Sequence, residues 1–426
     1  MSLHLDRRFV LKATGAMGFA TLGGRMAHAE GDLRLRVYWW GSMERADRTL
    51  KATALYQQRN PNVKIDGETL SWNDYWAKLA TQVSGRNAPD LIQMDYRYLT
   101  EYARRGTLLP LDSFMGKTLE ISDFGKESLN SCSVDGKLYA INLGNNSNAL
   151  IYDKAAFQKV GIAEPQNSNW EKFLELAAAF TKANNGEYFG TQDAGGVEIV
   201  FENWLRQRGK ALYNDDGTLR FDEKDAGEWL AMWAGARQSK AAPPADIQAL
   251  DKNNIETNLL TQGRAASAFN HSNQYVGYQV LNKHELGLTM FPQGAGPNPG
   301  HYLKPSQMWS VYDRSKVAEE AVKLANFTVK DPEATRILGV ERGVPASPAV
   351  RKAVVTDLDE MGKKVVDFIG FVSSRVGPLP PTPPQGAGEI EDMLRRVNEQ
   401  VGFGRLTPTE GGKQFVAEAK AALVRG

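Results

Sequence analysis

The sequence predicts an α/β fold, on three observations. Short apolar strand signals alternate with longer helical stripes along the chain. The 426 residues exceed one ordinary domain of about 150, so two or three units are expected. A balance of 42% hydrophobic to 24% charged residues is that of a soluble globular protein and excludes disorder as the dominant state.

In chain order, Leu33, Leu35 and Val37 alternate with arginines, a strand signature that ends at Trp39-Trp40-Gly41-Ser42. Residues 44–58 read as a helix that Asn60-Pro61-Asn62 stops. Val63–Ile65 suggests a short second strand, and Ala88-Pro89-Asp90 introduces a third, Leu91–Met94. The following helix ends at Gly106-Thr107-Leu108-Leu109-Pro110. Asp135-Gly136 is a turn, 137–143 is extended, and Ala149–Tyr152 is another strand. Trp170, Phe173, Leu174 and Ala177 make one helical face, with Asn169 as its cap. Strands resume at Ala265–Phe269 and at Leu286, Leu288 and Met290, while 292–305 is loop. Ala318, Ala321, Val322 and Ala325 form a further stripe. Pro378–Pro384 reads as an ordered extended connector, with a flexible linker as the alternative, before two closing helices at 387–401 and 408–424.

Several function classes fall away. With 51 Lys+Arg against 50 Asp+Glu, a net charge of +1 offers no electrostatic case for nucleic acid or an anionic membrane surface. The single cysteine, Cys132, excludes an internal disulfide and a Cys-pair metal site. No run of about 18 apolar residues is present for a spanning helix. Residues 1–29 resemble a twin-arginine (Tat) export signal: Arg7-Arg8-Phe9-Val10-Leu11-Lys12, a weakly apolar stretch to Gly24, then Ala27-His28-Ala29. That likeness implies a soluble periplasmic protein, and no cysteine near the cleavage site could take a lipid anchor.

From Trp39 onward the motifs resemble the extracellular solute-binding proteins of ABC importers, in the carbohydrate-binding, maltose-binding-protein-like class (family 1). They are Trp39-Trp40-Gly41, Ala88-Pro89-Asp90-Leu91-Ile92 and Gly106 to Phe114. Asp135-Gly136-Lys137-Leu138-Tyr139-Ala140, Leu150-Ile151-Tyr152-Asp153-Lys154 and Trp170-Glu171-Lys172-Phe173 follow. Gly263-Arg264-Ala265-Ala266, Gly343-Val344-Pro345-Ala346 and the closing helices complete the order. The resemblance implies two α/β lobes with a hinge and a ligand cleft between them. It implies an N-terminal lobe of 30–141 and 311–342, and a C-terminal lobe of 142–308 and 345–426. Crossings are expected near 140–144, 306–311 and 341–346.

Sugars offer a C–H ring face to aromatic plates and a hydroxyl rim to planar polar groups. Candidate contacts follow from the family's use of strand ends. Trp40 and Ser42 end the first strand, where at most one of Trp39 and Trp40 faces a cleft. Trp72 and Asp74 follow the second strand, with helix-start packing the alternative for the indole. Asp95 follows the third as a hydroxyl acceptor or as a helix cap, and Arg97 is either a fork for an anionic sugar or a surface residue. Asn145 and Asn146 lie at the first crossing, with turn chemistry as their alternative. Gly195 permits close approach, and Trp204 is a platform or core. Asn270 follows a late strand, Gln307 and Trp309 lie at the second crossing, and Arg342 at the third meets an anionic group or an acid such as Glu341.

No Gly-x-Ser-x-Gly elbow, His-Glu-x-x-His motif or phosphate loop is present, so no catalytic residue, metal or cofactor is expected. The expected function is a monomeric periplasmic receptor that captures a saccharide by cleft closure and hands it to an ABC permease. The ligand is expected to be an oligosaccharide. Trp39-Trp40-Gly41-Ser42 and Met94-Asp95-Tyr96 resemble receptors for plant-derived ones, acidic ones included. A neutral mono- or disaccharide, sugar alcohol or glycoside is the alternative, and a secreted glycan-active enzyme is the alternative of another class.

Overall fold

The computed structural model describes residues 33–425, so the export-signal segment 1–29 lies outside the described residues. Among the described residues, the two largest hydrophobic cores organise the chain. The first surrounds a five-stranded sheet in the order Val63–Leu70, Leu33–Trp40, Leu91–Met94, Met308–Val311, Ile141–Asn142. The first three strands are parallel, and Met308–Val311 runs antiparallel to both neighbours. The second packs, through Leu150 and Phe269, on one face of an antiparallel sheet in the order Leu286–Thr289, Asn148–Asp153, Ser267–His271, whose Ile151, Ala268 and Leu286 enter a smaller cluster.

Local chemistry explains how the first lobe aims its loops. Each parallel strand ends in a short polar residue that caps the next helix. Ser42, Ser71 and Asp95 accept from the backbone N–H of Arg45, Asp74 and Arg97. The cap stops the ladder and satisfies an orphan helix donor, so all three side chains lie along the carboxyl edge of the sheet. The second strand is longer than its apolar signal, pairing all eight residues of Leu33–Trp40. Asp66, Gly67 and Glu68 hide it from periodicity because this edge strand keeps a wet face. Gly67 is needed there, since a Cβ would stand 2.8 Å from the Trp39 indole.

The second core is aromatic. Trp170, Trp204, Trp229, Trp233, Phe201 and Phe269 pack with ring centroids within 6.2 Å of a neighbour. Helices Ala387–Gly402 and Pro408–Arg425 close over helix Glu223–Gln238 through Ile390, Leu394, Val397, Phe415 and Ala419.

Three segments join the lobes side by side. Asn145 and Val344 exchange backbone hydrogen bonds of 2.8 and 2.9 Å, and the Ser306 N–H donates to the Gly144 carbonyl at 2.7 Å. Gly343 has φ +97° with the Asn145 carbonyl 2.8 Å from where a Cβ would be, so only glycine fits this crossing. Met308–Val311 sits wholly in the first sheet, and Ala346 packs into the first core. The proline run 378–384 forms neither helix nor strand. It is tied down by Arg206 to the Pro378 carbonyl (2.8 Å) and Tyr96 to the Pro380 carbonyl (3.0 Å).

Candidate functional site

A cavity of about 180 Å³ lies between the lobes. The capped strand ends of the first lobe form one wall: Trp40, Ser42, Ser71, Trp72, Asp95 and Arg97. The opposite wall comes from the end of strand Ser267–His271, the first turn of helix Glu198–Gln207 and one face of helix Ala387–Gly402. Ligands bind at carboxyl strand ends in open α/β sheets for this geometric reason. Trp40 and Trp72 meet edge to face, centroids 5.0 Å apart and planes at 80°, with Trp72 half-buried.

Among the described residues, four buried polar atoms on this cavity have no protein partner: Asn146 Oδ1, Gln274 Oε1, Gln307 Oε1 and His271 Nε2. The Asn146 amide is oriented by its own network. Its NH₂ donates to Asn273 at 2.7 Å, and Asn273 donates to the Glu341 carbonyl at 2.9 Å, which turns Oδ1 away from both. Three of the four atoms are therefore amide acceptors that need a donor. Burial, with Lys304 adding to it, holds the His271 imidazole well below its ordinary value, so its ring is neutral.

Every Lys and Arg among the described residues on the cavity is already paired. Arg45 bonds Glu341 at 2.7 Å, Lys304 bonds Asp95 at 3.2 Å, and Arg395 bonds Asp392 at 2.7 Å. Arg97 crosses the cleft to both Glu198 and Glu391. Burial opposes ionisation of Asp95, but Lys304 and then Arg97 outweigh it and hold the carboxyl below its usual range. Burial pushes Glu198 up to about 8; Arg97 pulls against the rise, and Glu391 and Glu202 add to it. One guanidinium between two carboxyls is neutral only when one of the acids keeps its proton.

This cluster predicts a pH dependence of closure. An open cleft returns Glu198 to water, where it titrates near 4.5, so closing takes up a proton between there and about 8. Rising pH then disfavours closing by up to about tenfold per unit. His271 works in the opposite sense, but only below its ordinary 6.5, and Asp251, raised by burial to about 6, also acts below that point. The closed fraction of ligand-free protein is therefore expected to fall between about pH 6.5 and 8. Small-angle scattering should record a growing radius of gyration in that window, and Glu198→Gln should flatten the profile. A flat profile in the parent protein would refute the assignment.

Of the sequence candidates, Trp40, Ser42, Trp72, Asp95, Arg97, Asn146, Asn270 and Gln307 line the cavity. Asp95 also caps its helix, through the Arg97 N–H at 2.9 Å. The other six do not line it. Asp74 is exposed and accepts from the Ser71 hydroxyl at 2.6 Å. Asn145 is occupied by the backbone bridge to Val344. Gly195 makes its close approach to the protein itself, where a Cβ would collide with Asn398 Oδ1. Trp204 is 2% exposed in the aromatic core, under the Arg208 guanidinium. Trp309 is buried on an inner strand of the first sheet and donates to Thr328 at 3.2 Å. Arg342 bonds neither an anion nor Glu341; it bonds Gln93 Oε1 at 3.1 Å and lies 5.4 Å from the Trp309 ring.

Lys304, Glu198 and Gln274 carry no signal short enough to find by motif. Glu391 carries one: Glu391, Arg395, Asn398 and Glu399 recur at helical spacing on the polar side of a helix whose other side is apolar.

A cleft lined by orphaned acceptors between two lobes joined by three adjacent crossings defines a solute-binding protein. The chain belongs to the bacterial extracellular solute-binding protein family, whose model matches residues 40–334. It is similar to the family 1 extracellular solute-binding protein of Alicyclobacillus acidocaldarius, with 32% identity over 93% of this chain and 99% of that one and a TM-score of 0.64. It shares the fold of a periplasmic oligogalacturonide binding protein from Yersinia enterocolitica in complex with saturated digalacturonic acid. There identity is 21% over 92% of this chain and 99% of the other, with a TM-score of 0.83. A putative binding protein of Brucella abortus is 23% identical over 375 residues, 86% of this chain and 88% of that protein. Among the described residues no helix is long and apolar enough to cross a membrane.

Proposed function

We propose that this chain is the periplasmic receptor of an ABC importer and that it captures a neutral saccharide or polyol. The observation that carries the reading is the pairing of every Lys and Arg on the cleft with a carboxylate, while three amide oxygens there lack donors, all among the described residues. Sugar hydroxyls donate to such oxygens; a sugar carboxylate only accepts, and would meet no unpaired cation among the described residues. The Trp40–Trp72 corner supplies an aromatic surface for a ring face. The sugar bound by the Yersinia relative supports the saccharide class. The resemblance of residues 1–29 to a Tat export signal supports a periplasmic site of capture. The chain binds without turnover, with an affinity near micromolar, about −8 kcal/mol, that suits capture followed by release.

Thermal denaturation against matched neutral sugars, polyols and uronates tests this. Binding to the native state raises Tm, by about 2.7 kcal/mol of stabilisation at 100 times Kd. A rise with a neutral member and recovery of that compound unchanged is expected. A rise with uronates alone overturns the neutral reading, and no rise with any member overturns the saccharide reading.

A further inference from the structure

We propose that Glu391 is a positioning residue that couples closing of the cleft to placement of the Trp72 indole. Glu391 belongs to the second lobe, on helix Ala387–Gly402. Its Oε2 accepts from the Trp72 indole N–H at 3.2 Å and from Arg97, both first-lobe groups. One carboxylate oxygen thus gathers two side chains from across the cleft. Arg97 in turn stands 5.8 Å from the Trp72 ring centroid, so the three groups form a closed loop of contacts.

Packing leaves the indole a task for this bond. Trp76 is buried against Tyr98, stacked at 3.7 Å, whereas Trp72 is half-buried and meets Trp40, Trp76 and Tyr98 only by edges or at a tilt. A ring held at its edges keeps freedom about χ2, and a hydrogen bond at Nε1 removes it. Because the acceptor rides on the opposite lobe, the indole is fixed only when the lobes meet. Closing and building the ring platform become one event, which lowers the ordering cost left for the solute to offset.

The platform role rests on the saccharide reading; the coupling of Glu391 to Trp72 does not, and the test separates them. The full chain labelled with ¹⁵N shows indole N–H resonances, of which Trp72's is the one lost in Trp72→Phe. In ligand-free protein that resonance is expected to move in Glu391→Ala, while the other indole resonances hold. An unmoved Trp72 resonance overturns the coupling whatever the protein binds. The second arm is a double-mutant cycle of Glu391→Ala and Trp72→Phe on Kd for the sugar that raises Tm. The double variant is expected to bind roughly three- to tenfold better than the product of the single losses. Additive losses overturn the platform role even if the resonance moves. Absence of any sugar binding in the parent protein overturns the saccharide reading and leaves the resonance arm to decide the coupling.

Discussion

Arg97→Met is expected to open the ligand-free receptor and to weaken solute binding by about 100-fold or more. Arg97 is the centre of one helical turn in which three residues grip the opposite lobe and a fourth, Tyr96, holds the proline connector. Asp95 holds Lys304, Tyr96 holds the Pro380 carbonyl and Thr382, and Arg97 holds Glu198 and Glu391. Tyr98 packs so close to Gly388 that a Cβ there would collide with its ring. Removing one partner of a buried ion pair costs about 3–5 kcal/mol, because the remaining charge stays desolvated. Here the stranded carboxylates can regain water by parting the lobes, so the loss appears in the closing equilibrium before it appears in folding. About 3 kcal/mol corresponds to a factor of more than 100 in affinity. Methionine keeps the apolar stem beside Trp72, which separates lost charge from lost packing. Scattering should show a larger radius of gyration and calorimetry a raised Kd. Unchanged dimensions with Kd within about threefold would refute the latch.

The largest effect on folding is expected at Glu341→Ala, a loss of about 3–5 kcal/mol. Arg45 and Glu341 are each 1% exposed, and their charges meet at 2.7 Å. Arg45 also donates to the Trp40 carbonyl at 3.0 Å, at the edge of the cleft. The buried Arg342 guanidinium adds positive charge nearby; burial first and Arg45 second lower its hold on a proton to about 9. Without Glu341, two buried guanidinium groups share no carboxylate among the described residues. Urea denaturation should give a lower midpoint at unchanged slope. The double variant Arg45→Met, Glu341→Met should recover most of the loss, since replacing both charges leaves none stranded. An unaltered midpoint in Glu341→Ala would show that the pair contributes nothing.

The legible part of this protein follows one rule: information carried within about four residues was readable. The strand ends at Trp40 and Met94 show as apolar runs stopped within two residues by a short polar residue, and that residue both caps a helix and faces the cleft. Asn169 caps its helix through the Lys172 N–H at 2.8 Å for the same local reason. Of the residues expected from this geometry, Trp40, Ser42, Trp72 and Asp95 line the cavity, whereas Asp74 faces solvent. Trp204, expected as platform or core, went into the core; of the residues expected at the second and third crossings, Gln307 lines the cavity while Trp309 and Arg342 are buried against each other. A tryptophan is equally suited to a core and a sugar face, so its chemistry does not choose between them.

By itself, then, the sequence determined the alternating α/β elements, the cap at Asn169, and, through the family resemblance, the strand ends that meet a cleft. Tertiary structure alone decided how the charges at that cleft are paired. Arg97 finds partners 101 and 294 residues away, and Arg45 finds its own 296 residues away. Neutralising an ion takes a counter-ion within about 4 Å, and nothing in local sequence reports what the fold brings that close.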